Sequence, residues 1–373
     1  MKKIFHYTIK FILFLFLIAV LFLASGFFAV RWGLTNVAGE EDGNSFAYNL
    51  IAEEKPIEQW ISPGLPENLS IYGENEYLNW CRLGVATELS PYDAKGMFEA
   101  YTYTKSSALL DRMILALSLR QGQDSIFNEL LNDCKNEPSI WNEDSLKLAL
   151  MEVEAKSVYT WQNGEPWQII KEAIIKDESL IKEVSKITSI QPRLLVSVAI
   201  VEQLRLYYTQ REFYEQFFKP LKILANANKM AWGVMSIKEK MAIETEAHLH
   251  DKKSEFYLGP EYENLLNYTS TDNIAKERYD RLTNEKNHYY SYLYGALIIK
   301  QLQEQWLKHK YDLTYRPEII ATLFNIGFNN SEPKANPSVG GSTLEIEGEK
   351  YFFGSLAFEF YYSGELSETF PFD

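Results

Sequence analysis

Cysteine and histidine are scarce in this chain of 373 residues, which holds two of the first and five of the second. That scarcity excludes a small scaffold framed by disulfides and leaves little material for a metal cluster. In an oxidising compartment Cys81 and Cys134 form either one disulfide or two buried thiols, and neither fits a metal or nucleophile pattern. His248-Leu249-His250-Asp251 places two imidazoles on alternate residues, which point about 200° apart on a helix. No metal and no cofactor is therefore expected. Positive charge is short as well: 37 Lys and Arg face 51 Asp and Glu, for a net charge of −14. An acidic surface of that size argues against nucleic acid as a partner. Internal repeats, low-complexity tracts, a Ser-His-Asp order and a phosphate-binding glycine loop are all missing. Gly340-Gly341 reads as a loop ahead of a hairpin.

Aromatic residues, by contrast, are abundant, with 24 Tyr and 22 Phe. They supply core material and also suit stacking on sugar rings. The first thirty-one residues carry an address. Lys2, Lys3 and Lys10 precede an uncharged apolar stretch, 11–30, that Arg31 closes. Twenty helical residues span about 30 Å, the hydrocarbon thickness of a bilayer. Basic residues lie before it, and Glu40, Glu41 and Asp42 follow, so the N-terminus is expected in the cytoplasm and the remainder outside. Residues 1–36 thus read as a single-pass anchor in the cytoplasmic membrane. The competing reading is a cleaved signal peptide, with Ala24-Ser25-Gly26 as the cleavage site. Both put the working part beyond the membrane, in the periplasmic space.

Residues 37–65, acidic and broken by Pro56 and Pro63, read as a juxtamembrane linker. Residues 66–160 read as a helical accessory region. Ser90-Pro91 with Asp93 has the form of an N-cap, a first-turn proline and a capping-box acid. Leu109, Leu110, Met113, Ile114 and Leu117 repeat at helical spacing, as do Ile126, Leu130 and Leu131, with Gly122 between. Asn163-Gly164 marks the turn into a second block, 161–373. Helices are predicted over 169–175, 180–187, from Pro192 onward, and over 212–227, 237–249, 289–309 and 317–324. Only 343–351 alternates like a small hairpin. The fold class is mainly α.

Glu202 stands out within this block. It is a lone carboxylate ending the apolar run 194–201, with Leu195, Val198 and Ala199 on its own helical face. Desolvation disfavours a charged carboxylate and favours the protonated form that a general acid needs. The plain alternative is an ion pair with Arg205, three residues on. Glu244 and Glu246 lie on a polar helix and read as solvated, so no second carboxylate with a comparable placement is evident.

The stretch from Leu180 to Glu202 reads as a helix, a turn ending in Pro192, and an apolar helix with glutamate ten residues after the proline. Gly233-Val234-Met235-Ser236 then leads into a helix. A third element, Phe324-Asn325-Ile326-Gly327, follows the helix carrying Gly295-Ala296. In this order the motifs resemble the catalytic domain of lytic transglycosylases and goose-type lysozymes, over about 180 to 330. The resemblance implies a lysozyme-like domain with Glu202 as the single catalytic acid and base. It also implies substrate contacts from Gly233, Val234, Met235, Ser236, Phe324, Asn325 and Gly327. The expected substrate is the MurNAc–GlcNAc bond of peptidoglycan glycan strands. The chain departs from the family at Gln203 in place of serine, Ser236 in place of glutamine and Phe324 in place of tyrosine. A non-catalytic wall-binding or scaffold protein on the same fold is the alternative.

Overall fold

The computed structural model describes residues 75–121, 134, 140–151, 153, 155–208, 231–269 and 273–372. The anchor stretch 11–30, the linker 37–65, the stripe at Ile126–Leu131 and the helix expected over 212–227 lie outside them. Among the described residues no helix is long and apolar enough to cross a membrane. They form twelve α-helices and two two-stranded antiparallel hairpins.

The first four helices are α1 (Glu76–Leu89), α2 (Pro91–Thr104), α3 (Ser107–Gln121) and α4 (Glu143–Ala149). Asn75 caps α1 by accepting from the Leu78 N–H. Buried polar groups join these helices to one another. Arg82 pairs with Asp111, while the Asn79 amide donates to Tyr101 Oη at 3.2 Å and Ser107 Oγ at 2.6 Å. Cys81 and Cys134 form a disulfide, which settles the alternative left open by their spacing. The capping box expected at Ser90 does not form. The Ser90 hydroxyl donates to the Asp93 side chain instead of accepting from the backbone. Asp93 accepts from Ser157 Oγ at 2.6 Å and Val158 N at 2.9 Å, tying α2 to the segment ahead of the next helices.

Those helices are α5 (Glu165–Lys176), α6 (Glu178–Thr188) and α7 (Pro192–Tyr208). Both α5 and α6 are amphipathic, with Ile170, Ile174, Ile181 and Val184 turned inward. The third, α7, is apolar all round and lies buried against α5 and α6. A short hairpin follows, β1 (Ala231–Trp232) and β2 (Ile237–Lys238), with Trp232 opposite Ile237. The helix expected from 237 therefore begins two residues late, as α8 (Glu239–His250). After α9 (Ile274–Leu282) comes α10 (Tyr289–Lys308), whose twenty residues reach across the molecule. Asp177 between α5 and α6 accepts from Tyr292 Oη at 3.0 Å and so fixes α10 to that pair.

The last elements are α11 (Pro317–Ile326), the hairpin β3 (Thr343–Ile346) and β4 (Glu349–Phe352), and α12 (Phe353–Tyr362). Thr343 lies opposite Phe352 and Ile346 opposite Glu349. Glu347 and Gly348 both have positive φ, the turn geometry that matches hairpin twist. Helix α12 packs on α3, α7, α11 and β4, and nearly all of its residues are buried. One hydrophobic cluster runs from Leu78 through the residues of α7 to Phe372, so the N-terminal helices share their core with the rest.

Candidate functional site

Glu202 sits near the C-terminal end of α7 and is 3% exposed. Leu195, Val198 and Ala199, the neighbours expected on its face, are fully buried. The pocket is not wholly apolar. Arg205 Nε donates to Glu202 Oε2 at 3.1 Å, and Arg205 Nη2 reaches the same oxygen. Both bonds land on Oε2, and among the described residues nothing donates to Oε1. The ion pair foreseen for Arg205 is therefore present, and it leaves one carboxylate oxygen outside it.

The next residue reaches the second motif. Gln203 Nε2 donates to the Val234 carbonyl at 2.6 Å, holding the β1–β2 turn against α7. Within that turn the Ser236 N–H closes on the Gly233 carbonyl at 3.0 Å. Gly233 has φ +69°, and a Cβ there would overlap the Leu282 carbonyl and lie 2.6 Å from Ser291 Oγ. Its missing side chain thus makes room for α9 and α10, where the family resemblance implied a substrate contact. Met235 is fully buried. Its methyl group occupies the space above Gly295, where a Cβ would come within 2.6 Å of it. The Met235 N–H donates to Ser291 Oγ, a second clamp onto α10. Val234 is half-buried, while Ser236 is buried and its hydroxyl lacks a hydrogen-bond partner.

The third motif ends α11. Phe324 is buried, Asn325 and Ile326 are half-buried, and Gly327 at φ +86° returns its N–H to the Leu323 carbonyl. Asn325 Oδ1 accepts from the Ser342 N–H at 2.8 Å, and Thr322 Oγ1 accepts from Gly340 N at 3.0 Å. These bonds seat the Gly340–Gly341 loop on α11. Helix α7 packs directly on α10, α11 and β3. The first two motifs therefore meet through a side-chain hydrogen bond, and the third joins them through helix packing.

One reading of α8 needs correction. Glu246 is not a solvated carboxylate. Arg278 donates to its two oxygens at 2.8 and 2.7 Å, and Tyr268 and Tyr294 add their hydroxyls. Burial alone would raise this carboxyl, but the hydrogen bonds from Arg278, Tyr268 and Tyr294 outweigh it and hold it below the usual range. Burial and the Glu246 charge push the Tyr294 phenol well up, and burial with the Glu246 hydrogen bond takes Tyr268 to about 12. Residues 246, 268, 278 and 294 follow no common spacing, so nothing in the sequence announces this cluster. Glu244 is the more solvated of the two, bonded to Asn329 at 3.3 Å and near Lys240.

His248 is half-buried against Phe256 and Phe328, with Nδ1 2.9 Å from Ser254 Oγ, and its burial lowers the imidazole. Among the described residues no group of His, Cys, Asp and Glu is arranged to hold a metal ion. No family model, no curated protein and no solved structure matches the chain.

Proposed function

We propose that the protein is an extracytoplasmic, membrane-anchored enzyme with a lysozyme-like domain that cleaves the MurNAc–GlcNAc bond of peptidoglycan. Glu202 is its single acid and base. The observation that carries this reading is the bond from Gln203 to Val234. It locks the residue after the glutamate onto the turn of the second motif, as a one-carboxylate site requires of its wall. Glu202 first gives a proton to the glycosidic oxygen as the bond to the anomeric carbon breaks. As a carboxylate it then takes the proton of the sugar's own 6-hydroxyl, which attacks that carbon and leaves a 1,6-anhydro end. Two-carboxylate hydrolysis needs a second acid at a fixed separation. Two acids of α8 are otherwise engaged: Glu246 with Arg278, and Glu239 buried 3.8 Å from the same guanidinium. Oε1 is the oxygen suited to transfer, because Arg205 engages only Oε2.

The Glu202–Arg205 pair also favours a second reading, a wall-binding protein that does not cut. Digestion of purified sacculi by the full chain in neutral detergent separates the two. Mass spectrometry should detect anhydro-ended fragments from the wild type and none from Glu202→Gln. That variant leaves the buried Arg205 without its counter-charge, at a cost of up to about 3–5 kcal/mol, so its fold is checked by circular dichroism before digestion. Sacculus binding with no fragments from the wild type supports the scaffold instead. Reducing ends in place of anhydro ends indicate hydrolysis.

A further inference from the structure

A cavity of about 670 Å³ opens at the other end of α7 from Glu202, between α6, α10 and the loop leading into α11. Leu194 lines it, and Glu202 lies eight residues further along the helix, about 12 Å at 1.5 Å per residue. Lys182, Ser185 and Lys186 come from one face of α6 at i, i+3 and i+4, and Lys300 faces them from α10. Among the described residues no aspartate or glutamate lines the cavity. On a chain with a net charge of −14, that is a local reversal of sign. Lys182 is balanced by Glu178 one turn away on α6. Lys186 and Lys300 have no carboxylate within ion-pair distance among the described residues.

Ser185 supplies an independent sign of a missing ligand. It is 4% exposed, and its hydroxyl is buried without a hydrogen-bond partner. A serine on a helix can bond a carbonyl of the preceding turn when nothing else is offered, and Thr188, three residues further along α6, does so to Val184. Leaving a buried hydroxyl unpaired is costly, as is converging like charges without a counter-ion. A bound anion relieves the converging charges, and a turn of the Ser185 side chain toward the cavity lets the same ligand satisfy its hydroxyl.

We propose that this cavity binds a short acidic peptide carrying at least two carboxylates. The volume falls in the range of small-ligand sites, roughly 300–1,000 Å³, and is far more than a lone oxyanion fills. The cationic groups lie on two different helices, which calls for anionic groups set apart along a ligand. Ser185, Thr314 and Tyr315 add uncharged polar groups around them, suited to peptide amides. The cavity shares the stretch from Leu180 to Leu194 with the first motif but includes none of the residues assigned to catalysis or substrate contact, so its test does not depend on whether Glu202 cuts glycan.

Titration calorimetry on the full chain in neutral detergent tests it, with the tetrapeptide Ala-Glu-Ala-Glu as ligand. Its counterpart with both glutamates changed to glutamine and the C-terminus amidated should bind at least about tenfold more weakly. Lys186→Gln with Lys300→Gln should weaken the acidic peptide by a similar factor without lowering the melting temperature. Ser185→Ala should weaken it about threefold. Raising the salt should lower affinity in the wild type more than in the double variant. Absence of binding, equal binding of the two peptides, or an unaffected double variant overturns the proposal. So does inorganic phosphate that binds as tightly as the peptide and displaces it, which marks a simple anion site.

Discussion

Arg193 and Glu202 are buried charges on one helix, and the sequence presents them alike, each embedded in apolar residues of α7. Their surroundings differ in kind. Among the described residues Arg193 forms no ion pair, and the Glu365 carboxylate acts on it only through its charge. Its guanidinium donates to the carbonyls of Tyr361, Glu365, Phe370 and Phe360 at 2.8 to 3.2 Å, closing the C-terminal end of α12. The negative end of that helix takes the place of a counter-ion. Aromatic rings of Phe360, Tyr361 and Phe372 enclose it, and burial lowers it to about 10. Among the described residues Glu202 is engaged by one side chain, through one oxygen. A buried charge whose hydrogen-bonding capacity is met by main chain is a structural post, and one with capacity in reserve can take part in chemistry. Burial alone does not separate the two; counting partners does.

The comparison is broken most directly at the post. Arg193→Met keeps the bulk but leaves four carbonyls without their donor, and should cost about 3–5 kcal/mol in urea unfolding. A loss under 1 kcal/mol would show that those carbonyls find other partners and that Arg193 is dispensable. At the other end of α7, Gly233→Ala should cost about 2–3 kcal/mol, because it combines positive φ with overlap on the Leu282 carbonyl. A neutral result there would mean that the turn shifts freely, and that Gln203 does not hold it.

The smallest effect is the dependence on pH, where two other carboxylates sharpen the contrast. Glu246 is held below its unfolded value, so its contribution to stability is present above the ordinary carboxylate range and lost as pH falls through the folded value. Asp93 is raised, chiefly by burial and only partly offset by Ser157, Ser90 and Val158. Its folded form takes a proton more readily than the unfolded chain does, so it contributes in the opposite direction as pH falls. Denaturant midpoints from about pH 6 to 3 should fall less steeply in Glu246→Gln and more steeply in Asp93→Asn. Parallel curves for the two variants would contradict the assignment.

The amphipathic helices were legible because their stripes repeat: α3, α5, α6 and α11 lie close to where periodicity puts them. Pro192 and Pro317 marked the starts of α7 and α11 for the reason proline suits a first turn. What periodicity missed is instructive. Phe353–Tyr362 is buried on every side, so it has no polar face to set a period, and its aromatic residues favour strands by propensity. Ile274–Leu282 failed for the opposite reason, since most of its residues are polar. In the candidate site, the Glu202–Arg205 pair could be foreseen from their three-residue spacing. The purpose of Gly233 could not, because Leu282 and Ser291, which need the room, lie far along the chain. The Glu246 cluster was hidden in the same way.

The position of α12 has a bearing on how the chain is made. The helix is threaded between α3, α7 and α11, so those three cannot complete their shared interior until residue 362 has been synthesised and, on the proposed topology, translocated. Until then Arg193 waits for its acceptors with an apolar cleft open beside it. On the proposed topology, assembly of the core would therefore finish after translocation, and the interval before closure is when the chain most depends on being shielded from its neighbours.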